Sequence, residues 1–237
     1  MFSINHKSEN GFSIIVLKDE KTGCFAEVTP QCGATLHAFG IKNNNHDIQV
    51  IDHYQSQHEF DTSAESLGYK GCKLSPFVCR LRNGKYTFGD KELTIENTRG
   101  EKHVLHGLIY KKPFKVLNQI ANDQHASLSL QYAYRKEDAG YPFDYDCIVT
   151  YELAGDCKLH IRTECVNKSQ GLLPIQDGWH PYFDLGNKIN ELGLEFQSLQ
   201  KYEFDNDLLP TGKTIPYAEF SSIKPLGDIH LDNSFSL

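Results

Sequence analysis

Hydrophobic and polar residues alternate with a period of two along much of the chain. The pattern is clearest over residues 128–134 and 159–165, where apolar or β-branched side chains occupy every second position. Because successive side chains of a β-strand point to opposite faces, this alternation predicts half-buried strands. Residues 86–95 contain two further runs on either side of Gly89-Asp90, which predicts a hairpin. Residues 52–71 are polar and could hold a short helix, but they lack an apolar face repeating at three and four residues.

The elements that this pattern predicts belong to an all-β protein. Turn-forming residues are spread evenly, and no linker or internal repeat interrupts them. Sandwiches often run to roughly 200–250 residues as one domain. We therefore expect a large antiparallel β-sandwich that forms a single domain over residues 1–237. Residues 231–237 resemble a loop that enters a strand with no turn after it, so we expect a C-terminally truncated domain with an open sheet edge.

Charge and hydropathy exclude several classes of partner. The chain has 237 residues, with 24 Lys and Arg against 31 Asp and Glu, and a formal net charge of −7. The basic residues are dispersed, so none of them forms a stripe that could neutralise a phosphate backbone, and we expect no nucleic-acid partner. No apolar run approaches the roughly 20 residues of a membrane helix, so we expect no membrane partner. Residues 1–7 are too polar for a signal peptide, which favours a cytoplasmic location.

The seven cysteines contain no Cys-x-x-Cys pair, so a zinc or redox cysteine site is not expected. We interpret them as free, small apolar residues in a reducing cytoplasm. His103 and His106 have a spacing that a metal site could use, but the pair alone does not supply a complete ligand set. The sequence predicts neither a metal nor a cofactor.

The stretch Gly178–Leu185 holds the strongest candidate for chemistry, because His180 lies there beside Trp179 and Tyr182. A histidine gives or takes a proton near neutral pH, and aromatic surroundings disfavour its charged form. Aromatic faces such as that of Trp179 also bind the apolar C–H side of a sugar ring. His106 precedes Gly107, where the backbone can approach a ligand closely. Other histidines fall in polar segments and are expected to be solvated: His37, His46, His53 and His58.

Two further residues suit the binding of a small polyhydroxylated molecule. Arg80 carries a fixed fork of donors that matches vicinal hydroxyls or a carboxylate, although a surface arginine beside a hairpin fits its neighbours equally well. Asp232 is a carboxylate before an asparagine, a position that is also typical of a turn cap. With His106 and His180, these residues would form a site that binds such a molecule and moves protons on it.

These motifs, in this order, resemble the aldose 1-epimerase (galactose mutarotase) family over most of the chain. Each motif is weak alone, and the ordered set is fairly specific. It comprises Arg80 with Asn83-Gly84-Lys85-Tyr86, Leu105-His106-Gly107, Gly140-Tyr141-Pro142, Val149-Thr150-Tyr151-Glu152-Leu153, His180-Pro181-Tyr182-Phe183 and Leu231-Asp232. The resemblance implies a large β-sandwich with a hexose lying across one open face, and an isomerase that interconverts the α and β anomers of that sugar without a cofactor.

The resemblance also implies a role for each candidate residue. His180 would deliver a proton to the ring oxygen, His106 would bind and polarise the same region, and Arg80 and Asp232 would hydrogen-bond sugar hydroxyls. In the family, a glutamate well after the aspartate accepts the proton of the anomeric hydroxyl, yet no glutamate follows Asp232 in this sequence. The 237 residues are therefore expected to bind sugar and to turn it over slowly.

Two other functions are compatible with the sequence. A hexose-6-phosphate 1-epimerase would use the same chemistry but would need extra cationic groups, and the chain has only five arginines. A non-catalytic carbohydrate-binding protein would need no glutamate base. Assays of anomer interconversion with free hexoses and with hexose 6-phosphates separate the three functions.

Overall fold

A computed structural model of the chain describes residues 1–42, 48–96 and 102–236. The chain divides into two compact units, Met1–Asp184 and Leu185–Leu237. The strands of the first unit are β1 (Phe2–Glu9), β2 (Phe12–Asp19), β3 (Cys24–Thr29), β4 (Thr35–Ile41), β5 (Ile48–Gln49), β6 (Lys73–Leu74), β7 (Arg80–Leu81), β8 (Lys85–Phe88), β9 (Lys91–Thr94), β10 (Val104–Leu105), β11 (Lys115–Ala121), β12 (His125–Arg135), β13 (Asp144–Ala154), β14 (Lys158–Asn167) and β15 (Gly178–Trp179). This unit also contains the helix α1 (Gln57–Ser63) and a 3₁₀ turn at Arg82–Gly84.

Two antiparallel sheets build the first unit. One has five strands in the order β1-β2-β3-β4-β5, and the other has four in the order β11-β12-β13-β14. Leu17 and Val28 of the first sheet and Leu128 and Tyr151 of the second belong to one buried hydrophobic cluster. The Tyr151 hydroxyl donates a 2.6 Å hydrogen bond to the carbonyl oxygen of Ala34, which precedes β4. The predicted antiparallel β-sandwich is thus confirmed, with its core between the two sheets.

The segments with the clearest alternation are strands, as predicted. Residues 128–134 lie in β12 and residues 159–165 lie in β14. The predicted hairpin consists of β8 and β9, which pair antiparallel. The short helix that residues 52–71 could hold is α1, and the hydroxyl of Ser56 caps it by accepting a 3.1 Å hydrogen bond from the backbone amide of Glu59.

Two histidines lie in different environments from the predicted ones. His53 is half-buried, and its Nδ1 atom lies 3.0 Å from the Nε2 atom of Gln49. His37 belongs to β4 rather than to a polar loop, and its ring packs against those of Phe12 and His53 at centroid distances of 4.9 and 4.4 Å. The neighbours along the sequence are polar, but strand pairing brings the Phe12 ring to this position. His58 is exposed, as predicted, and His46 lies outside the described residues.

The cysteines are not all free. Cys24 and Cys157 form a disulfide between positions 133 residues apart. Cys24 begins β3 and Cys157 precedes β14, so the two sheets of the sandwich bring them together. No local spacing of cysteines indicates this pair, because disulfide connectivity over such a distance cannot be deduced from a sequence alone. The other cysteines are free, as predicted: Cys32, Cys72, Cys79, Cys147 and Cys165.

Over the described residues up to 236, the second unit contains five short strands: β16 (Gly193–Leu194), β17 (Gln200–Phe204), β18 (Pro210–Pro216), β19 (Lys224–Pro225) and β20 (Phe235–Ser236). β16 pairs with β19, and β17 lies between β18 and β20. The ring of Phe196 contacts those of Tyr217, Phe220 and Phe235. The organisation of residues 1–237 as a single domain stays a prediction. Among the residues that the structure describes, no helix is both long and apolar enough to cross a membrane.

Candidate active site

Strand pairing places Arg80 beside His106. In the β7–β10 ladder, Arg80 lies opposite Leu105, the residue before His106. The backbone amide of His106 continues the contact by donating a 3.0 Å hydrogen bond to the carbonyl oxygen of Cys79. Both side chains are half-buried, which leaves part of each accessible to a ligand.

His106 and His180 are in direct ring contact. Their ring centroids lie 5.1 Å apart, with the edge of one ring toward the face of the other at 71°. One backbone segment contacts both histidines. The backbone amide of His180 donates a 3.1 Å hydrogen bond to the carbonyl oxygen of Cys72, just before β6. Ser75, just after β6, forms a parallel bridge with Gly107. The segment Cys72–Ser75 therefore connects the two histidines.

Two tyrosines extend the histidine pair. The Tyr69 ring lies 4.7 Å from that of His106, and the Tyr182 ring stacks on His180 at 5.4 Å. Tyr182 belongs to the same sequence motif as His180. Tyr69 was not among the predicted site residues, and the only sequence signal near it is its position between Gly68 and Gly71.

The backbone around the histidine pair adopts conformations that few residues tolerate. Three non-glycine residues have positive φ: Tyr69 at 58°, Cys79 at 56° and His106 at 62°. At Gly107, where φ is 79°, an added Cβ atom would lie 2.3 Å from the carbonyl oxygen of Ser75. Left-handed conformations at non-glycine residues concentrate at functional sites, because the surrounding structure must hold them. Tyr69, Cys79 and His106 are three of the ten non-glycine residues with positive φ among the described residues, and their positions are consistent with a site around the histidine pair.

Trp179 lies next to this cluster in sequence, but its ring makes other contacts. It packs edge-on against Tyr151 at 6.2 Å, and the Nζ atom of Lys73 lies 4.6 Å from its ring centroid. The same indole lines an apolar groove of about 300 Å³ together with Phe39 and Phe183. Because adjacent residues of an extended chain point to opposite faces, Trp179 and His180 face different sides. The role of Trp179 in sugar binding stays a prediction.

Asp232 lies in the second unit, in the segment before β20. Asp232 is exposed, and it lies three residues before Phe235, which belongs to the aromatic cluster of that unit. The role of Asp232 as a sugar ligand stays a prediction.

Potential metal ligands occur together at one place in the described residues. The ligand atoms of Cys147, Cys165 and Asp177 lie within 4.8 Å of one another. The ammonium group of Lys73 is already bound to Asp177, and a cation next to a metal is unfavourable. The other proposed pair is not arranged as a metal site either, since His103 Nδ1 accepts a 3.1 Å hydrogen bond from the backbone amide of Asn83.

Comparison with known proteins identifies the family. The sequence profile of a family described as aldose 1-epimerase matches residues 14–237, almost the whole chain. The chain belongs to the aldose 1-epimerase family. Its function is accordingly the interconversion of the α and β anomers of an aldose, and it is an isomerase, as the sequence predicts. Among curated proteins the sequence finds no significant match.

Solved structures share the fold of this aldose 1-epimerase family member. A galactose 1-epimerase from Lactobacillus acidophilus NCFM superposes with a TM-score of 0.79 at 20% identity, over 99% of this chain and 70% of its own. A galactose mutarotase-like protein from Clostridium acetobutylicum gives 0.79 at 19% identity, over 91% of this chain and 65% of its own. An aldose epimerase homologue from C. elegans gives 0.74 at 22% identity, over 99% and 71%. The chain thus covers about two thirds of the length of each of these proteins.

Proposed function

We propose that Arg80, His106 and His180 form a sugar site in the first unit. Asp232, in the second unit, stays proposed as a ligand of sugar hydroxyls on the strength of the sequence motif alone. The contact between the His106 and His180 rings carries this proposal. The backbone of Arg80 pairs with that of Leu105, the residue before His106. A donor on each ring can reach one edge of a hexose, the edge with the ring oxygen and the anomeric carbon. The substrate proposed is a free hexose.

In the proposed mechanism, His180 donates a proton to the ring oxygen while the bond from that oxygen to C1 breaks. A carboxylate accepts the proton of the anomeric hydroxyl at the same time, so C1 becomes the aldehyde carbon of the open chain. Rotation about C1–C2 and the reverse proton transfers close the ring as the other anomer. The reaction is redox-neutral and moves single protons, so acid–base groups suffice, and no cofactor is included in the proposal.

The carboxylate that accepts the proton is not assigned. No glutamate follows Asp232 in the 237 residues. A small carboxylate in solution, such as acetate, can replace a missing general base if the site leaves room for it. Assays of this chain should therefore be run both with and without acetate, with the protein-free rate subtracted at each concentration.

Polarimetry of freshly dissolved α-D-glucose and α-D-galactose tests the proposed function. We expect a protein-dependent acceleration that saturates with sugar and rises with acetate. The same assay with the hexose 6-phosphates tests the phosphorylated alternative, and we expect the smaller effect there because the chain has a net charge of −7. Saturable sugar binding without any protein-dependent acceleration would assign the chain to the carbohydrate-binding alternative. A cytoplasmic location and the absence of nucleic-acid partners stay predictions.

A further inference from the structure

Lys73 is buried where a lysine is rarely found. Its residue has 0% exposed surface, although it lies only one residue from Cys72, whose carbonyl binds the backbone of His180. Lysine is almost never fully buried unless it is paired, because its ammonium group loses hydration there. The position therefore needs an explanation in terms of what this charge contacts.

Three consecutive residues contact the Lys73 ammonium group. It forms an ion pair with the carboxylate of Asp177. It donates a 3.2 Å hydrogen bond to the carbonyl oxygen of Gly178, and it lies 4.6 Å from the ring centroid of Trp179. An ammonium group has three donors and is attracted to an indole face. One cation thus holds the three residues that directly precede His180.

The backbone strengthens this arrangement. In the β6–β15 ladder, Lys73 lies opposite Trp179 and Leu74 lies opposite Gly178. Residues opposite each other in a ladder project to the same face, and the next residue projects to the other face. Lys73 and Trp179 therefore lie behind the ribbon that presents the His180 ring. The second carboxylate oxygen of Asp177 accepts a contact of 3.8 Å from the thiol of Cys165, which fixes the carboxylate from a further side.

We propose that Lys73 is a positioning residue for His180. By holding Asp177, Gly178 and Trp179, it fixes the His180 ring against that of His106, in the geometry needed for proton transfer to the sugar. This inference rests on the proposed function of the two histidines. An apolar side chain could fill the same space, but it could not bind a carboxylate, a carbonyl and an indole face together.

The two partners of the ion pair differ in exposure, and this asymmetry predicts which substitution harms folding more. The Lys73 side chain is 0% exposed and the Asp177 side chain is 27% exposed. Lys73→Met leaves a carboxylate that water can reach, so the variant should fold. Asp177→Asn leaves a buried ammonium group without its counter-ion, and such an uncompensated charge is strongly destabilising. We expect a clearly lower melting temperature for Asp177→Asn than for Lys73→Met.

The closing experiment compares Lys73→Met with the unsubstituted chain, with His180→Asn and with Lys112→Met. Lys112 forms an ion pair of 2.6 Å with Glu137 at a more exposed place and serves as the matched control. Galactose anomer exchange, with acetate present, is measured by magnetisation transfer, and galactose affinity by titration. The nuclear Overhauser effect between the His106 and His180 ring protons reports their contact without requiring turnover. The emission of Trp179, the only tryptophan of the chain, reports the loss of the cation from its ring.

For Lys73→Met we expect anomer exchange to fall about 10–100-fold, because a misplacement of about 1 Å can cost that much. Galactose affinity should stay within about threefold, since this residue is not proposed to touch the sugar. The His106–His180 Overhauser effect should weaken and the Trp179 emission should shift, while Lys112→Met should match the unsubstituted chain in all four measurements.

Unchanged exchange and an unchanged Overhauser effect in Lys73→Met, with exchange lost in His180→Asn, would overturn the positioning role and leave the proposed function intact. Unchanged exchange in His180→Asn would overturn the proposed function instead, and the Overhauser effect would still decide whether Lys73 places the ring. Loss of the native circular dichroism spectrum in both Lys73→Met and Asp177→Asn would make Lys73 a purely structural residue and would overturn the proposal.

Discussion

Arg80 combines two properties that single substitutions can separate, its charge and its planar fork of donors. The fork can bind two neighbouring sugar hydroxyls at once, whereas a lysine ammonium group is a point charge. Arg80→Lys should therefore weaken galactose binding about 10–100-fold, in line with the roughly 1.5–3 kcal/mol that hydrogen bonds to charged groups contribute. Isothermal titration calorimetry measures this loss.

Arg82→Lys is the matched control for Arg80→Lys, because Arg82 lies two residues away and is exposed. Its galactose affinity should equal that of the unsubstituted chain. Equal affinities for Arg80→Lys and Arg82→Lys would contradict the proposed contact between Arg80 and the sugar.

His37 gives a prediction about stability against pH. Burial, the neighbouring His53 and the charge of Lys7 lower the pKa of His37 from 6.5 to about 4. Between these values the unfolded chain binds a proton that the folded chain does not, so stability is complete above pH 6.5 and falls as the pH drops toward 4. Since one pKa unit is worth about 1.4 kcal/mol, His37 should account for about 2–3 kcal/mol of this loss.

Urea unfolding between pH 4.5 and 7.5 tests this prediction. The free energy of unfolding of His37→Gln should depend less steeply on pH than that of the unsubstituted chain, while the exposed-residue control His58→Gln should keep the full slope. Identical slopes in all three proteins would show that His37 is not buried as a neutral ring.

At the residue scale, the sequence indicated candidate residues but not the contacts that surround them. His180 and Tyr182 share one motif, so their stacking could be anticipated. The Phe12 ring beside His37 comes from another strand, and the Tyr69 ring beside His106 comes from a residue 37 positions earlier in the chain. Such contacts depend on the fold and leave no periodic signal in the sequence.

At the scale of elements, the disulfide between β3 and the start of β14 should stabilise the sandwich. A cross-link across 133 residues restricts the unfolded chain strongly, and disulfides typically contribute about 2–4 kcal/mol. Reduction should lower the free energy of unfolding by this amount in guanidinium titrations. The oxidised chain should also show five reactive thiols after denaturation, one for each free cysteine.

The double variant Cys24→Ala and Cys157→Ala is the control, since its stability should not respond to reductant at all. Seven reactive thiols after denaturation of the unreduced chain would show that the bond is absent. An unchanged stability on reduction of a confirmed bond would contradict the expected contribution.

The elements that could be predicted are those whose partners are close in sequence. The β8–β9 hairpin and the long strands β12, β13 and β14 follow from local alternation and turns. The ladders that build the site are different, because β6 pairs with β15 over about a hundred residues and each strand has only two residues. Elements of this length show no periodicity, so the site geometry could not be derived from the pattern alone. The ordered motifs indicated the candidate residues, and only the fold shows the distances between their side chains.

For the whole molecule, the ion pairs of its carboxylates lead to a prediction about turnover. Carboxylates of the first unit are held by lysines, among them Asp52 by Lys70 and Asp177 by Lys73. We expect the 237-residue chain to bind galactose and to interconvert its anomers near the uncatalysed rate when no carboxylate is added. Full turnover without acetate, measured by polarimetry, would show that an upstream carboxylate acts as the base.

The central claim is that His180, in contact with His106, is the acid that opens the sugar ring. The most direct measurement is galactose anomer exchange with the chain and with His180→Asn, over a series of acetate concentrations. The account predicts that the chain accelerates the exchange and that the acceleration rises with acetate. His180→Asn should lower this rate by roughly 10²–10⁴-fold, or to the protein-free rate, because one positioned acid or base usually contributes that much. Galactose affinity should fall much less, because Arg80 remains. Equal rates for the two proteins at every acetate concentration would contradict the account.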